Sequence, residues 1–247
     1  TRQRIGQAVI AGRNRWIRPP ALTTLREEIP GFLLAQGGIA THDEVIAAIL
    51  AAHGSALDEP ARSQMASVAT RAALEAEKCR QGERFDEYRS GDRIFLSLSP
   101  DLKQYALRLG AVADKLAAEE VLPSPARVLE TLRNVPQPAA QPDVPLPADS
   151  RLPALAAAAS ANAALSSRLE LYPRGMAPER ALTLAQTALF GAALTIEELC
   201  NRVQSRYPEA APLPDRPELD RLIERIGLDL HWNAQAAQGR GAYEPTH

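Results

Sequence analysis

The sequence predicts a mainly α-helical protein built from two similar units, each closing in a small β-hairpin. Three observations carry that expectation. Alanine is abundant while aromatic residues make up only 4% of the 247 residues. Apolar residues recur at spacings of three and four. One arrangement, a threonine-started helix, a proline-bearing loop, another helix and a hairpin, occurs once in each half of the chain.

Composition bounds the rest. A chain of this length with 45% hydrophobic residues can fill one large or two small cores. Its 28 basic and 30 acidic residues leave a formal charge of -2. No apolar run approaches the roughly 20 residues a bilayer span requires, and no secretory signal is visible, so a cytoplasmic protein without a membrane contact is expected. Cys79 and Cys200 lie one in each half without C-x-x-C spacing. That suits reduced thiols, a long-range disulfide being the alternative.

Taken in order, the elements support this outline. The chain opens on Thr1 rather than Met and reads as a piece of a longer protein. Residues 1–21 form a basic arm in which Arg2, Arg4, Arg13, Arg15 and Arg18 precede the first acid, Glu27. Such an arm suits phosphate or an acidic partner surface, or it docks on the body with its arginines solvated. A first domain follows at 22–134. "TTLREEIPGFLLAQ" is an amphipathic helix, and Thr41 with Glu44 makes a capping box at the start of "EVIAAILAAH". After Glu59 comes "EPARSQMASVATRAALEAEK", a further helix. In "ERFDEYRSGDRIFLSLS" a Ser90-Gly91-Asp92 turn precedes Ile94, Leu96 and Leu98, whose alternation predicts a hairpin with one buried face on its second strand. The domain ends in the helix "LKQYALRLGAVADKLAAEE".

Prolines at 136, 138, 142, 145, 147 and 153 make residues 135–153 an extended linker, because proline removes backbone donors and holds φ. The second domain, 154–247, opens with "LPALAAAASANAALSSRLELY", read as one alanine-rich helix. The earlier order then recurs: "ERALTLAQTALFG", a second capping box from Thr195 and Glu198, and "DRPELDRLIERIG" with Asp215 placed to cap its start. "LDLHWNAQAAQGRGAYEP" is the closing hairpin. Three helices and a hairpin is the order of a winged helix-turn-helix. The predicted fold class is therefore mainly α, with tandem winged helix-turn-helix-like domains carrying small β-hairpin wings. Two helical domains of unrelated topology are the plainer alternative.

"EEIPGFLLAQGGIATHDEVIAAILAA" resembles the opening of winged-helix domains of the HARE-HTH kind, over roughly residues 22–98. "SSRLELYPRGMAPERALTLAQTALFGAALTIEELCNRVQSRYPEAAPLPDRPELDRLI" resembles the C-terminal region of large bacterial anti-phage serine/threonine kinases of the PglW type, from BREX/Pgl systems. No Gly-rich loop, V-A-I-K, H-R-D or D-F-G occurs in this chain. The resemblance thus implies a non-catalytic part of such a kinase, with other subunits of a phage-defence complex as partners.

Chemistry-bearing groupings are weak. His42, His53, His231 and His247 are scattered without metal-ligand spacing, so no metal and no cofactor is expected. The pairs Asp43-Glu44 and Glu197-Glu198 fall in first helical turns, where the helix dipole favours acids. Cys79 follows a lysine at a helix end and reads as an incidental thiol. No enzyme is expected in this segment. DNA binding is the leading function, carried by Arg13, Arg15, Arg18, Arg62, Gln64, Arg71, Arg89 and Arg93, with Lys78 and Arg84 nearby. The second unit offers Arg216, Arg221, Arg225 and Arg240 among Glu218, Asp220 and Glu224, a mixed-charge face. Its Tyr207, Pro208, Pro212, Pro214 and Trp232 suggest a rigid apolar surface. Trp16 and Trp232 read as packing anchors. The alternative function is a protein docking scaffold that uses winged-helix folds without nucleic acid.

Overall fold

The computed structural model describes residues 7, 11–12, 15–79, 82, 84–139, 142–191 and 193–246. The protein is mainly helical with small antiparallel sheets. It forms two compact units, one of residues 1–111 and 133–161, the other of residues 112–132 and 162–247.

In the first unit, helix α1 (Pro20–Ala35) begins on a proline, whose fixed φ and missing N–H suit a first helical turn. It turns Leu25, Ile29 and Leu33 to the core. Gly37 and Gly38, both at positive φ, reverse the chain into strand β1 (Ile39–Thr41). Thr41 ends β1 and starts α2 (His42–His53): its hydroxyl accepts from the Glu44 amide, while the Glu44 carboxylate accepts from the Thr41 amide at 2.7 Å. Helix α3 (Ala61–Glu77) follows a cis Glu59-Pro60 bond. Strands β2 (Asp86–Ser90) and β3 (Arg93–Ser97) form the ribbon, and the sheet order is β1-β3-β2 throughout antiparallel.

Strand β3 is central, and the expectation of one buried face needs correction. Leu96 joins Leu25, Ile29, Leu33, Val45, Leu74 and Phe85 in the core. Its neighbour Phe95 is equally buried, stacked on Tyr88 at 5.2 Å between ring centroids. Strands β1 and β2 pair along the two edges of β3, and the burial of the successive residues Phe95 and Leu96, which point to opposite sides of the strand, shows that both faces are covered.

Helices α4 (Pro100–Ala117) and α5 (Pro125–Arg133) follow. Within residues 135–153, expected as an extended linker between domains 22–134 and 154–247, Val144, Pro147 and Arg151 lie against the first unit. A Cβ at Gly37 would fall 2.3 Å from the Pro147 nitrogen, and one at Gly38 would meet Val144 at 2.6 Å. Arg151 donates to the carbonyl oxygens of Gln36 and Ile39 and reaches the Glu44 carboxylate at 2.6 Å. Proline prevents helix here, as expected, but apolar side chains and one arginine give the extended chain a surface to lie on.

The alanine-rich stretch is also corrected. Helix α6 (Leu152–Ala159) stops at Ser160, and the rest forms a hairpin of β4 (Ala163–Leu165) and β5 (Leu171–Pro173). Alanine propensity is overridden by tertiary bonds: Asp114 Oδ1 accepts from the Asn162 amide at 2.8 Å, and the Asn162 carbonyl accepts from the Arg174 amide at 2.6 Å.

The second unit continues with α7 (Pro178–Leu189), α8 (Ile196–Arg206), α9 (Glu218–Arg225), β6 (Leu230–Asn233) and β7 (Ala242–Pro245). Thr195 and Glu198 form the second capping box. Just before it, Leu194 exchanges both backbone hydrogen bonds with Tyr243 in β7, at 2.8 and 2.7 Å. The two units therefore share a detailed relationship. In each, the residue before the capping threonine, Ala40 or Leu194, pairs with the last ribbon strand, at Leu96 or Tyr243. Asp215 does not cap α9 with its side chain; its carbonyl accepts from the Leu219 amide. Tyr207, expected on a surface, is fully buried against Tyr172.

Candidate nucleic-acid interface

Helix α3 buries Ala66, Thr70, Ala73, Leu74, Ala76 and Glu77. The opposite side is left to solvent, and Gln64, Val68 and Arg71 follow one another along it at spacings of four and three. His42, at the first position of α2, feels both Arg71 and Glu87. Burial pushes its imidazole below the usual histidine value, Asp43 and Glu87 opposing and Arg71 assisting. Glu87 and Arg89 share one face of β2, because alternate residues of a strand point the same way. Arg71 of α3 and Glu87 of β2 thus both lie near the start of α2.

The expected residues are placed unevenly. Arg71 and Arg89 are exposed on α3 and β2, and Gln64 is exposed one turn before Val68. Arg15 and Arg18 are exposed before α1, whereas Arg13, with Arg2 and Arg4, lies outside the described residues. Arg62 faces Glu59 at 4.0 Å, and Arg93 is half-buried and engaged in an interaction of its own. Lys78 is spanned by Glu75 and Glu87, each at 2.9 Å. Arg84 is taken up by the buried Glu77. These two cations are therefore balanced inside the unit.

Composition alone did not flag two apolar residues of the same helix. Met65 and Val68 are 58% and 64% exposed. The signal was present, since position 68 falls on the line from Gln64 to Arg71. Met65 also lines a depression of about 380 Å3 with Leu25, Ile49, His53, Arg62 and Ala69. His53 meets Glu28 there at 2.7 Å.

In the second unit the charges of α9 are internally matched. Arg216 pairs with Asp220 at 2.9 Å and stacks over Trp232, its guanidinium carbon 4.0 Å from the ring centroid. Arg221 faces Glu218 and Arg225 faces Glu179. Trp232 is thus a packing anchor, while Trp16 is 39% exposed. Both cysteines are free thiols.

Among the described residues no group of three or more His, Cys, Asp or Glu can hold a metal ion, and no helix is long and apolar enough to cross a membrane. The fold and its surface define a mainly helical chain of two units with small antiparallel ribbons. The chain is similar to a region of a probable kinase, PglW, of Streptomyces coelicolor, with 32% identity over an alignment of 284 residues. That similarity takes in 98% of this chain and 18% of the Streptomyces protein, so the chain spans under a fifth of its relative's length. Neither a protein-family model nor a solved structure matches the chain.

Proposed function

We propose that the first unit is a winged-helix DNA-binding module, and that the whole chain is a non-catalytic regulatory region of a larger cytoplasmic phage-defence kinase. The observation that carries this reading is the order α1-β1-α2-α3-β2-β3 with the sheet order β1-β3-β2. In that arrangement α3 is the helix offered to a major groove and the β2-β3 ribbon the wing beside it. Gln64 and Arg71 on α3 supply base-edge or phosphate donors, and Arg89 on the wing with Arg15 and Arg18 supplies backbone contacts. The second unit repeats the order with a single bridge at Leu194 in place of β1.

Titration of a duplex against the chain tests the reading. Binding at micromolar concentration or tighter, weakening with log[salt] at a slope near -0.9 per phosphate contacted, is expected. Arg71→Glu combined with Arg89→Glu should abolish it, and each exchange alone should flatten the slope by about one contact. Binding unchanged in the double variant, or none at low salt, removes the DNA role.

A second reading draws on the exposure of Met65 and Val68. Large apolar side chains on the helix that would enter a groove suit a protein docking scaffold, with other subunits of a defence complex as partners. Under that reading Met65→Glu abolishes partner capture and Arg71→Glu leaves it intact.

A further inference from the structure

A separate concentration of positive charge lies in the second unit. Ser167, Arg168, Asn201, Arg202, Ser205 and Arg206 line one open depression of about 340 Å3. The last four come from the C-terminal half of α8, at spacings that place them on neighbouring rows of the helix. The first two come from the turn joining β4 to β5. That turn is tied down: the Ser167 amide donates to the Arg206 carbonyl at 3.0 Å, and the Ser166 hydroxyl accepts from the Arg168 and Glu170 amides. Leu169, at its tip, holds a φ of 62°, a conformation that a non-glycine residue keeps only where its surroundings impose it.

The charge in this depression is only partly balanced. Glu170 stands 3.6 Å from Arg206, and Glu198, one turn before Arg202, caps at Thr195 while its charge is shared between Arg202 and Arg240. Among the described residues neither Arg168 nor Arg202 has a carboxylate within ion-pair distance; Arg202 donates to the Ala188 carbonyl at 2.9 Å. Arg206 is only 12% exposed and lies over the Tyr207 ring, 5.3 Å from its centroid, so the two open guanidiniums of the depression are those of Arg168 and Arg202. Elsewhere in the unit Arg174, Arg216, Arg221 and Arg225 are each set against a carboxylate, while Arg180 and Arg240 donate to backbone carbonyls.

We propose that this depression binds a phosphoryl group of the monoester type. Arg168 and Arg202, neither within ion-pair distance of a carboxylate among the described residues, offer two charges to a dianion, and the arginine fork matches paired phosphoryl oxygens. Arg206 is set against Glu170, and the field of Glu198 is shared between Arg202 and Arg240. The Ser167 and Ser205 hydroxyls and the Asn201 amide add neutral donors. A phosphodiester presents one charge and two terminal oxygens, and a nucleic-acid backbone needs positive charge continued along its path. Arg174, Arg216, Arg221 and Arg225, each paired with a carboxylate, offer no such continuation. The monoester is a phosphorylated side chain or a small free phosphate. The site stands on the second unit alone and is independent of DNA binding by the first.

The test is titration of the whole chain with inorganic phosphate, followed by amide NMR shifts, with dimethyl phosphate, a phosphothreonine peptide and a short DNA duplex as comparison ligands. Saturable shifts centred on residues 167–169 and 201–206 are expected, with dimethyl phosphate weaker by about tenfold or more. Arg168→Glu and Arg202→Glu, both on exposed positions, should each weaken phosphate binding by a similar factor, and Arg225→Glu should not. Binding should fade as the pH drops through the second ionisation of the phosphate. A peptide that binds more tightly than phosphate identifies a phosphorylated side chain as the source, and equal affinity identifies a small phosphate. The proposal is overturned by shifts that do not saturate, by binding that survives when Arg168→Glu and Arg202→Glu are combined, or by a duplex that displaces phosphate as well as the peptide does.

Discussion

Arg84 donates to the carbonyl oxygen of Arg26 at 2.8 Å, the one carbonyl of α1 that Pro30 leaves without its helical donor. Its remaining donors grip the two oxygens of Glu77, each at 2.8 Å, with Arg26 itself 3.8 Å away. One arginine therefore repairs a helix break and neutralises a carboxylate at the end of α3. Burial alone would raise the Glu77 carboxyl; the hydrogen bonds and charge of Arg84, with Arg26, outweigh it and hold the group below its usual value. Replacing Arg84 by leucine leaves the buried Glu77 with only the more distant Arg26 beside it, and should cost about 3 kcal/mol at pH 7 in urea denaturation. Because the folded value is depressed, the stabilisation is complete above the unfolded carboxyl value near ~4.3 and disappears as the pH falls through the folded one. The gap between wild type and Arg84→Leu should accordingly narrow below pH 4. A gap that stays constant with pH would mean Glu77 is not the group involved.

The two capping boxes predict different costs for the same exchange. Thr195→Ala removes an exposed cap and should lower stability by about 1 kcal/mol. At Thr41 the box is bound from outside, because Arg151 holds the second oxygen of Glu44 and the carbonyls that lead into β1. Thr41→Ala and Arg151→Ala should therefore be non-additive, their coupling reaching about 1 kcal/mol in a double-mutant cycle, while Thr195→Ala and Arg151→Ala should add. Strict additivity at both sites would show that Arg151 does not act through the cap.

How much of this was legible in the sequence depends on the range of the interaction. Both capping boxes, the α3 helix and the two ribbons rest on residues three or four apart or on a turn at Gly91, and all are found where local chemistry puts them. The docking of residues 144–151 rests on Arg151 reaching Gln36 and Ile39, partners more than a hundred residues distant, and no local pattern announces that. The same limit explains the truncation of the alanine-rich helix at Ala159. Of the candidate site, local pattern puts Arg71 on the third helix and Arg89 on the ribbon, and both are exposed there. The loss of Lys78 and Arg84 to Glu87 and Glu77 has no such local signal, since an ion pair across elements is decided by tertiary structure.

Gly37 gives the docked proline-rich segment its own test. It sits at a φ of 83°, and an added Cβ would fall 2.3 Å from the Pro147 nitrogen, where backbone cannot give way cheaply. Gly37→Ala should both strain the turn and lift residues 144–150 from the unit, so that a nonspecific protease cuts there at least several-fold faster than in the parent chain. Gly54, also at positive φ but with open space around it, is the control: Gly54→Ala carries the strain without the displacement. Equal cleavage in the two variants would mean that the segment is not held by this contact.

Trp232 reports on the second ribbon. Arg216 lies over its ring at 4.0 Å, Tyr243 meets it edge-on at 5.1 Å, and the Tyr243 hydroxyl donates to Asp220, which also pairs with Arg216. Arg216→Ala should uncover one face of the indole, shifting its emission to longer wavelength, and should remove about 1 kcal/mol of stability. The Tyr243 phenol is pushed well above its usual value by burial first, then by the hydrogen bond and charge of Asp220. A raised folded value means that its contribution is fully present below the unfolded tyrosine value near ~10 and is lost as the pH climbs towards the folded one. Tyr243→Phe should thus cost about 1 kcal/mol at neutral pH and lose part of the alkaline decline in stability between pH 9 and 11 seen with the phenol. An identical alkaline profile in the phenylalanine variant would place that titration on another group.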